Sequence, residues 1–393
     1  MAQSDAGLYL KRLSLSDFRN YARLSWHPGG AAGTRIAAIF GPNGGGKTNI
    51  LEAISLLGGG SGLRLARRVD LARREGAGGF AVAGRFVGSE GAFSVATGVP
   101  APETLTAEPR RVFRLDGVAP RNGGEIAARV ALLWLTPPME RLFQEGTSGR
   151  RRFLDRLVAG LEAGHGRELV AHERALANRA RLLRAGGADP AWLAAIEDAI
   201  ARHAAAITAA RLGVVRRLNL ALAAVTPAGF PPARVELLCP LAGRLAGEPA
   251  LALEEWLRAR LREGRGEDRV TGHTGVGAHR ADFTLFDAAR GMPAAQASTG
   301  EQKALLIGVI LGHAALIARA RGFAPILLLD EPMVHLDGAR RAALIAALAA
   351  LPAQIFLTGT DREAFLPLSG IAAGWRCADA GLVADPAFAA GAP

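Results

Sequence analysis

A glycine-rich loop near the N-terminus has the residue types and the spacing of a phosphate-binding site. Residues 41–48 read GPNGGGKT and lie between the apolar run 36–40 and the amphipathic stretch 49–57. Because glycine lacks a Cβ atom, such a loop can turn sharply and point its backbone N–H groups at a phosphate. Lys47 would add a charge for the β and γ phosphates, and the Thr48 hydroxyl would coordinate Mg²⁺. The loop therefore predicts nucleotide binding with Mg²⁺.

The lysine count favours this interpretation over a chance pattern, although 49 of the 393 residues are glycine. Only three of the 47 basic residues are lysines, namely Lys11, Lys47 and Lys303. In a chain that uses arginine almost everywhere, a lysine is kept where a compact ammonium group is needed. Lys47 therefore has a functional role in this interpretation.

A pair of carboxylates far along the chain complements the loop. Residues 326–329 form an apolar run typical of a strand that is buried on both faces, and Asp330 and Glu331 follow it directly. In an α/β sheet, ligands bind at the carboxyl ends of the strands. There Asp330 would hold Mg²⁺, directly or through water, and Glu331 would orient the attacking water or accept its proton. Lys47 and Glu331 are therefore the predicted catalytic residues.

The stretch 298–303, STGEQK, heads an apolar helix and permits two interpretations. In the local one, Ser298 and Glu301 form a capping box that satisfies the first N–H groups of that helix. In the functional one, the helix N-terminus, with Ser298, Gly300 and Lys303, faces the γ-phosphate of a nucleotide held by another subunit. The two roles are compatible.

The charge and cysteine content limit the classes of protein to be considered. A formal net charge of +11 indicates a polyanionic partner, nucleic acid being favoured over an anionic membrane face or a bias towards arginine. Two cysteines form no disulfide framework, and the first residues lack the pattern of a signal peptide. The apolar runs fall short of the about 20 residues that a spanning helix needs, or contain His313. These features predict a soluble cytoplasmic protein.

Periodicity along the chain predicts a nucleotide-binding lobe with an insertion. Alternating leucines at 8–15 predict an edge strand, and segments 80–87, 93–97 and 111–115 predict an antiparallel meander. From residue 149 the sequence is Ala-, Leu- and Arg-rich and helical in period, with an apolar stripe that includes Trp192, Ile200 and Ile207. We expect domains at 1–148 (N-terminal half with the loop and meander), 149–268 (inserted helical arm) and 269–393 (C-terminal half).

Two further groups of polar residues are candidates for binding. Arg19 and Asn20 could reach the phosphate or base of a nucleotide, or they could form a polar turn between two strands. Downstream, five arginines could contact DNA or form a solvated basic face, and the spacing of the first three places them on one face of a helix. These five are Arg64, Arg67, Arg68, Arg73 and Arg74.

Several stretches together resemble the ATP-binding-cassette (ABC) ATPases of the SMC-like group, and in particular a bacterial recombination and repair family. Besides the motifs above, they are 17–21 (DFRNY), 48–54 (TNILEAI), 151–156 (RRFLDR), 277–282 (GAHRAD), 335–337 (HLD) and 357–361 (LTGTD). The resemblance extends from about residue 8 to residue 361. Two departures are Ala278, where proline is usual, and 332–334 (PMV), where small residues are usual.

The resemblance implies an α/β fold, an ABC-type ATPase head with a P-loop and a mixed sheet flanked by helices, carrying an inserted, mainly α-helical arm. It also implies an ATP-dependent homodimer in which each ATP, with Mg²⁺, lies between the loop of one subunit and the signature helix of the other. The implied nucleotide-binding residues are Arg19, Asn20, Gly41, Asn43, Gly44, Gly46, Lys47, Thr48 and Asn49. Those implied to act in trans are Ser298, Thr299, Gly300, Glu301 and Lys303, with Asp337 at the dimer seam and Thr360 where a γ-phosphate-sensing histidine is common.

In such a family, ATP closes the dimer on double-stranded DNA, slow hydrolysis releases it, and mediators of the RecR and RecO type help to place the recombinase at single-strand gaps. Two other functions remain open. An ATPase subunit of a membrane transporter would share the loop, the signature and the Asp-Glu strand, although the helical insertion and the basic charge disfavour it. A DNA-binding scaffold with vestigial hydrolysis is disfavoured by the intact Lys47, Asp330 and Glu331.

Overall fold

The computed structural model describes residues 7–30, 33–101, 110–186, 189–224 and 229–388. Unit one comprises the described residues of Met1–Glu140, Pro227–Phe230 and Leu306–Pro393, and unit two those of Arg141–Thr226 and Pro231–Leu305. The functional division at residues 149 and 269 stays a prediction. Residues 1–6 lie outside the described residues, and they include the N-terminal segment in which the sequence shows no signal-peptide pattern.

The elements are numbered here in chain order. The strands are β1 (Tyr9–Phe18), β2 (Tyr21–Trp26), β3 (Ile36–Phe40), β4 (Phe80–Gly88), β5 (Gly91–Val99), β6 (Val112–Leu115), β7 (Leu132–Leu135), β8 (Ala233–Leu238), β9 (Asp282–Asp287), β10 (Met292–Pro293), β11 (Ile326–Leu329), β12 (Ile355–Gly359), β13 (Ala372–Ala378) and β14 (Gly381–Ala384). The helices are α1 (Lys47–Leu56), α2 (Arg68–Leu71), α3 (Gly123–Arg129), α4 (Thr147–Leu161), α5 (His165–Ala185), α6 (Pro190–Ala224), α7 (Pro240–Gly247), α8 (Ala250–Glu263), α9 (Arg265–Thr271), α10 (Thr299–Arg321) and α11 (Gly338–Ala350).

A six-stranded mixed sheet forms the centre of unit one, in the order β14-β13-β3-β12-β11-β7. Neighbours from β13 to β7 pair in parallel, and β14 pairs antiparallel to β13 at the edge. Strands β3, β11 and β12 are buried at every position, and the unbroken apolar runs of β3 and β11 are typical of a parallel sheet covered on both faces. The sheet places the carboxyl ends of β3, β11 and β12 side by side.

The second sheet of unit one is antiparallel, in the order β2-β1-β4-β5-β6. The predicted meander is confirmed as β4, β5 and β6. The expectation that β1 is an edge strand is wrong, because β1 pairs with both β2 and β4. Its charged residues occupy the outer face of an inner strand, while Leu13 and Leu15 are buried beneath. Lys11 and Arg12 are consecutive and both exposed because the register of β1 against β4 shifts between Leu10 and Arg12, so these charges mark an irregularity in an inner strand and not an edge.

Unit two contains helices α4 to α9 and a small antiparallel sheet in the order β10-β9-β8. The helical character predicted from residue 149 is confirmed, but the predicted stripe on α6 is only partly right. Ile200 and Ile207 are buried, whereas Trp192 is 58% exposed and Leu193 is buried in its place. Trp192 lies in the first turn of α6.

A buried charge network lies in the core of unit two. The side chain of Arg179 is fully buried and donates to Glu197 Oε1 at 3.0 Å, Asp268 Oδ2 at 2.6 Å, Thr274 Oγ1 at 3.1 Å and the Leu261 carbonyl at 2.6 Å. A buried guanidinium group is tolerated only when such partners replace its water. The network therefore joins α5, α6, α8 and α9 at one point.

Helix α10 is long and apolar enough to cross a membrane by length and composition alone. Within the helix, 72% of the most apolar 18-residue window is buried, and no other helix of the described residues passes the same test. Core helices of globular proteins have this composition when they are covered on all sides.

Candidate nucleotide-binding site

The glycine-rich loop joins β3 to α1 and fits against the backbone of its neighbours. Gly41 has φ of 150°, and a Cβ atom there would lie 2.2 Å from the Cys377 carbonyl oxygen. Gly46 has φ of 109°, and its Cβ would lie 2.6 Å from both Asn20 Nδ2 and the Tyr21 hydroxyl. Only glycine fits these two positions, because a side chain would clash and the backbone conformation disfavours L-residues.

Lys47 opens α1 and turns its side chain back into the loop. Its residue is 5% exposed, and Nζ donates to the carbonyl oxygens of Gly41 at 2.8 Å and Pro42 at 2.9 Å. The ammonium group is therefore held inside the curve of the loop. Phosphate oxygens can replace these two carbonyls as acceptors, and the opposite charges make that exchange favourable.

A chain of hydrogen bonds links the loop to the end of β11. The Thr48 hydroxyl donates to Asp330 Oδ1 at 3.0 Å, and the Thr358 hydroxyl donates to the same oxygen at 2.6 Å. Asp330 is 5% exposed and Thr358 is fully buried. Thr48 in the first turn of α1 and Asp330 directly after β11, both predicted from the sequence, are therefore in contact.

These oxygen atoms suit Mg²⁺, which prefers oxygen ligands and is commonly held by one or two protein groups together with substrate phosphates. No group of three or more His, Cys, Asp or Glu side chains that could hold a metal occurs in the described part of the chain. A metal cage made of protein alone is therefore not found there. Thr48 and Asp330 would hold the ion, which when bound would neutralise charge on the phosphate oxygens.

Glu331 follows Asp330 in a left-handed backbone conformation, with φ of 52°. Its N–H donates to Thr358 Oγ1 at 3.1 Å, so the same threonine fixes both members of the carboxylate pair. Left-handed conformations are uncommon for residues other than glycine and cost energy unless the surroundings enforce them. The conformation turns the Glu331 side chain away from the path of an ordinary extended strand.

Arg19 and Asn20 lie in the turn between β1 and β2, beside the loop. Arg19 pairs with Glu52 through two hydrogen bonds of 2.8 and 2.7 Å, and Glu52 is 1% exposed. Asn20 Nδ2 donates to the Gly45 carbonyl at 3.3 Å, and Asn20 Oδ1 accepts from Asn49 at 2.8 Å. The polar-turn interpretation is confirmed, and contact of these side chains with a nucleotide stays a prediction.

The arginine cluster does not form the predicted helical face. Helix α2 begins only at Arg68, and Leu65 has φ of 52°, so Arg64 and Arg67 precede the helix in non-helical backbone. Arg64 donates to Asn49 Oδ1 at 2.7 Å and lies 3.3 Å from Glu52, which joins it to the loop network. The left-handed conformation of Leu65 interrupts any right-handed helix between Arg64 and Arg67.

Carboxylates neutralise part of the same cluster. Arg67 pairs with Asp70 at 3.1 Å, and Arg73 pairs with Asp17 and Glu75, each at 2.9 Å. Because these partners already satisfy the guanidinium groups, any DNA phosphate would have to compete with them. DNA contact by Arg64, Arg67, Arg68, Arg73 and Arg74 stays a prediction.

The capping box at the start of α10 is confirmed. Glu301 Oε2 accepts from the N–H and the hydroxyl of Ser298, each at 3.0 Å, and Arg290 donates to Glu301 Oε1 at 2.7 Å. The backbone N–H of Ser298 and then Arg290 lower the pKa of Glu301 to about 2. Ser298 and Thr299 are exposed, whereas Lys303 is fully buried, so a role of Lys303 in trans would require its side chain to move.

Asp337 and Thr360 lie at the ends of two elements of unit one. Asp337 is the N-cap of α11, and its Oδ1 accepts from the Arg340 N–H at 2.8 Å. Thr360 is exposed and follows β12 directly. Their predicted roles at a dimer seam and at a γ-phosphate stay predictions.

Three residues that contact the site were not selected from the sequence. Thr358 lies within the LTGTD stretch, which could have indicated it. The buried Tyr21 hydroxyl donates to the Gly46 carbonyl at 3.2 Å, and Cys377 Sγ lies 3.1 Å from the Gly45 carbonyl. Burial raises the pKa of both the tyrosine and the thiol. No pattern in the sequence connects Cys377 with a loop more than 300 residues earlier.

Comparisons with known proteins agree on one family, although no protein-family model matches the chain. The DNA replication and repair protein RecF of Mesorhizobium japonicum is 43% identical over 369 residues, which cover 93% of this chain and 95% of that protein. The protein of the same name from Brucella suis is 44% identical over 363 residues, or 92% of each chain.

Solved structures show the same fold. The recombination mediator protein RecF of the RecFOR pathway, described with ATP, has a TM-score of 0.79 at 22% identity and covers 96% of this chain and 99% of its own. The Smc head domain of Pyrococcus furiosus has a TM-score of 0.52 at 16% identity, with 96% of each chain covered. The expected α/β fold of an SMC-like ABC ATPase head is therefore confirmed.

Proposed function

Because the chain belongs to the RecF family of DNA replication and repair proteins, we propose that it is an ATP-dependent DNA-binding protein of recombinational repair and replication-fork maintenance. The observation that carries the proposal is the meeting of Thr48 and Asp330 at 3.0 Å, beside a loop that only glycine can form. This arrangement suits a nucleoside triphosphate with Mg²⁺. A relative of the same fold is described with ATP.

The chain's own residues have distinct roles in the proposed reaction. Lys47 exchanges its two carbonyl acceptors for phosphate oxygens, and Asp330 and Thr48 hold the metal ion. Glu331 orients the attacking water and accepts its proton, in a position fixed through Thr358. We propose a slow ATPase that is stimulated by DNA, in which hydrolysis acts as a conformational switch.

The nucleotide also acts as a clamp between two copies of the chain. Ser298, Thr299, Gly300 and Glu301 lie at the N-terminus of α10, where the helix dipole favours a phosphate, and Lys303 completes the proposed signature. The capping box holds Ser298 and Glu301 in place. In this proposal the stretch closes over the nucleotide of a partner subunit, so ATP stabilises the dimer more than the monomer.

The proposed partner of the closed dimer is double-stranded DNA at gaps and junctions. The net charge of +11 supports binding to a polyanion. Release on hydrolysis would help to load the recombinase at single-strand gaps, together with mediators of the RecR and RecO type. The proposed location of the protein is the cytoplasm, at the nucleoid.

The Glu331→Gln variant tests the proposal. Dimerisation is measured by light scattering, and binding of a labelled duplex by anisotropy, each with and without ATP and Mg²⁺. We expect ATP to induce both in the wild type and the variant to retain both for longer, because the amide cannot accept the proton of water. Glu363→Gln removes the same charge at an exposed position and serves as the matched control.

Three other outcomes would contradict the proposed function. DNA binding by a monomer without ATP would replace the clamp with a passive scaffold. An ATP-induced dimer without DNA binding at moderate salt would favour a transporter subunit. If Lys47→Ala responds to ATP as the wild type does, the loop is not the nucleotide site.

A further inference from the structure

Two basic stretches that the proposed function leaves without a role meet in unit two. Residues 150–156 on α4 and residues 277–282 before β9 are joined by ion pairs. Arg150 donates to both oxygens of Asp282, each at 2.8 Å, and Arg211 donates to both oxygens of Asp155, each at 2.8 Å. The first pair joins the two stretches directly. Arg211 on α6 joins them indirectly, because it also donates to the Ala278 carbonyl at 2.6 Å.

A cavity of about 670 Å³ opens next to this junction. Its wall comes from α4, α5 and the segment 272–280, and its polar lining consists of Thr147, Arg151, His273, Thr274, His279 and Arg280. No lining residue is acidic. The volume is large enough for a nucleotide-sized group.

Two arginines at this cavity lack the neutralisation that their neighbours have. Arg151 donates to the Thr147 hydroxyl at 2.8 Å and the Ala281 carbonyl at 3.2 Å. Arg280 donates to the Thr274 carbonyl at 3.1 and 3.0 Å. In the part of the chain that the structure describes, neither forms an ion pair with a carboxylate. A phosphate oxygen could therefore bind them without first breaking an ion pair, unlike Arg150 and Arg211, although Asp282 and Asp155 act on Arg151 at longer range.

One histidine lines the cavity, and a second lies behind it. His279 Nε2 lies 2.9 Å from the Thr274 carbonyl, and its Nδ1 is buried without a hydrogen-bond partner in the structure. The ring of His172 lies behind it, with centroids 5.7 Å apart, and its buried Nε2 is likewise unsatisfied. Burial lowers the pKa of His279, and Arg280 and Arg151 lower it further. Burial also lowers the pKa of His172, so near neutral pH both rings are in the neutral form, and His279 adds a hydrogen-bonding group to the cavity but no charge.

We propose that this cavity binds a phosphoryl group, carried either by the DNA backbone or by a free nucleotide. A phosphoryl group offers acceptors in several directions, which suits donors that arrive from α4 and from the segment 272–280. Arginine forks match phosphate oxygens, and the absence of a lining carboxylate removes the competitor found elsewhere in this chain. The DNA source rests on the proposed function, whereas the free-nucleotide source does not.

The test reads the site directly by arginine-specific labelling. The full chain is treated with phenylglyoxal alone or with a 20-base-pair duplex, a 20-nucleotide single strand, inorganic pyrophosphate or poly-glutamate, and labelled peptides are quantified by mass spectrometry. We expect at least one phosphate probe to protect Arg151 and Arg280 several-fold, while Arg152 stays reactive. Arg152 is exposed on the same helix as Arg151, and its guanidinium donates to the Ser148 carbonyl.

Variants provide the second readout. If the duplex is the protecting probe, the double variant Arg151→Gln, Arg280→Gln should reduce the slope of log affinity against log salt by about 1 to 2, because each lost phosphate contact changes it by about 0.9. Arg152→Gln should leave the slope unchanged. If pyrophosphate protects and DNA does not, the ligand is a free phosphate compound, and the single variant Arg151→Gln should lose the protection of Arg280 by pyrophosphate.

Two results would overturn the inference: reactivity of Arg151 and Arg280 that no phosphate probe changes, or protection by poly-glutamate alone. Equal salt slopes for the double variant and Arg152→Gln would remove DNA as the source. The proposed function fails separately, because its readout is ATP-dependent dimerisation and duplex binding by the wild type.

Discussion

Replacing Thr358 with valine tests how the site is held together. Valine has nearly the same shape and suits a buried strand, so the change removes one hydroxyl without opening a cavity. That hydroxyl donates to Asp330 at 2.6 Å and accepts the Glu331 N–H at 3.1 Å. The substitution therefore removes a donor from one carboxylate residue and an acceptor from the other.

The size of the effect follows from burial. A hydrogen bond to a charged group contributes about 1.5 to 3 kcal/mol, and a buried donor without an acceptor costs about 1 to 3 kcal/mol. Since Thr358 is fully buried and the two effects overlap, we expect the free energy of unfolding to fall by about 3 kcal/mol. Removing an outer partner of a metal ligand also weakens metal affinity about 10- to 100-fold, so Mg²⁺-dependent ATP binding should weaken by a similar factor.

Urea unfolding without nucleotide measures the first effect, and a Mg²⁺ titration of labelled ATP binding measures the second. Thr358→Ser is the control, since it keeps the hydroxyl and loses one methyl group, at a cost of about 1 kcal/mol. A valine variant within about 0.5 kcal/mol of the wild type, with unchanged Mg²⁺ dependence, would refute the positioning role of Thr358. If serine and valine behave alike, the methyl group and not the hydroxyl matters.

Two further predictions concern unit two. Arg179→Leu should lower the free energy of unfolding, measured in urea, by about 3 to 5 kcal/mol, because it leaves buried carboxylates without their counter-charge. Arg202→Leu removes an exposed ion pair and should cost under about 1 kcal/mol. Similar losses for both variants would contradict the role of burial. Burial, followed by the charges of His279 and Arg211, lowers the pKa of His172 from 6.5 to about 4. The stabilising contribution of the neutral ring is therefore complete above pH 6.5. It is lost as the pH falls towards 4, which lowers the free energy of unfolding by up to about 3 kcal/mol. His172→Gln should therefore flatten the decline of stability between pH 6.5 and 4, and parallel urea profiles would show that this group does not titrate as inferred.

Patterns within short segments predicted their own local structure well. The loop, the capping box and the buried strand β11 each depend on a few adjacent residues, so the sequence was sufficient for them. The strand β1 was misplaced at an edge because the adjacent charges of Lys11 and Arg12 arise from a register shift within the sheet, and the partner strands β2 and β4 are known only once the chain has folded. The helical face assigned to Arg64 failed for a similar reason, since Asn49 and Glu52 hold that side chain outside a helix.

The sequence by itself predicted phosphate binding at the glycine-rich loop, because glycine spacing, Lys47 and Thr48 form a pattern that depends on local backbone geometry alone. Only the tertiary structure decided which distant groups complete it. The pairing of β3, β12 and β11 brings Thr358 and Asp330 to within 2.6 Å of each other and Thr48 to 3.0 Å from Asp330. Long-range contacts of this kind depend on strand order and register, which no local pattern encodes. The cavity beside Arg151 and Arg280 has the same origin, since the ion pair between Arg150 and Asp282 joins segments that are 132 residues apart.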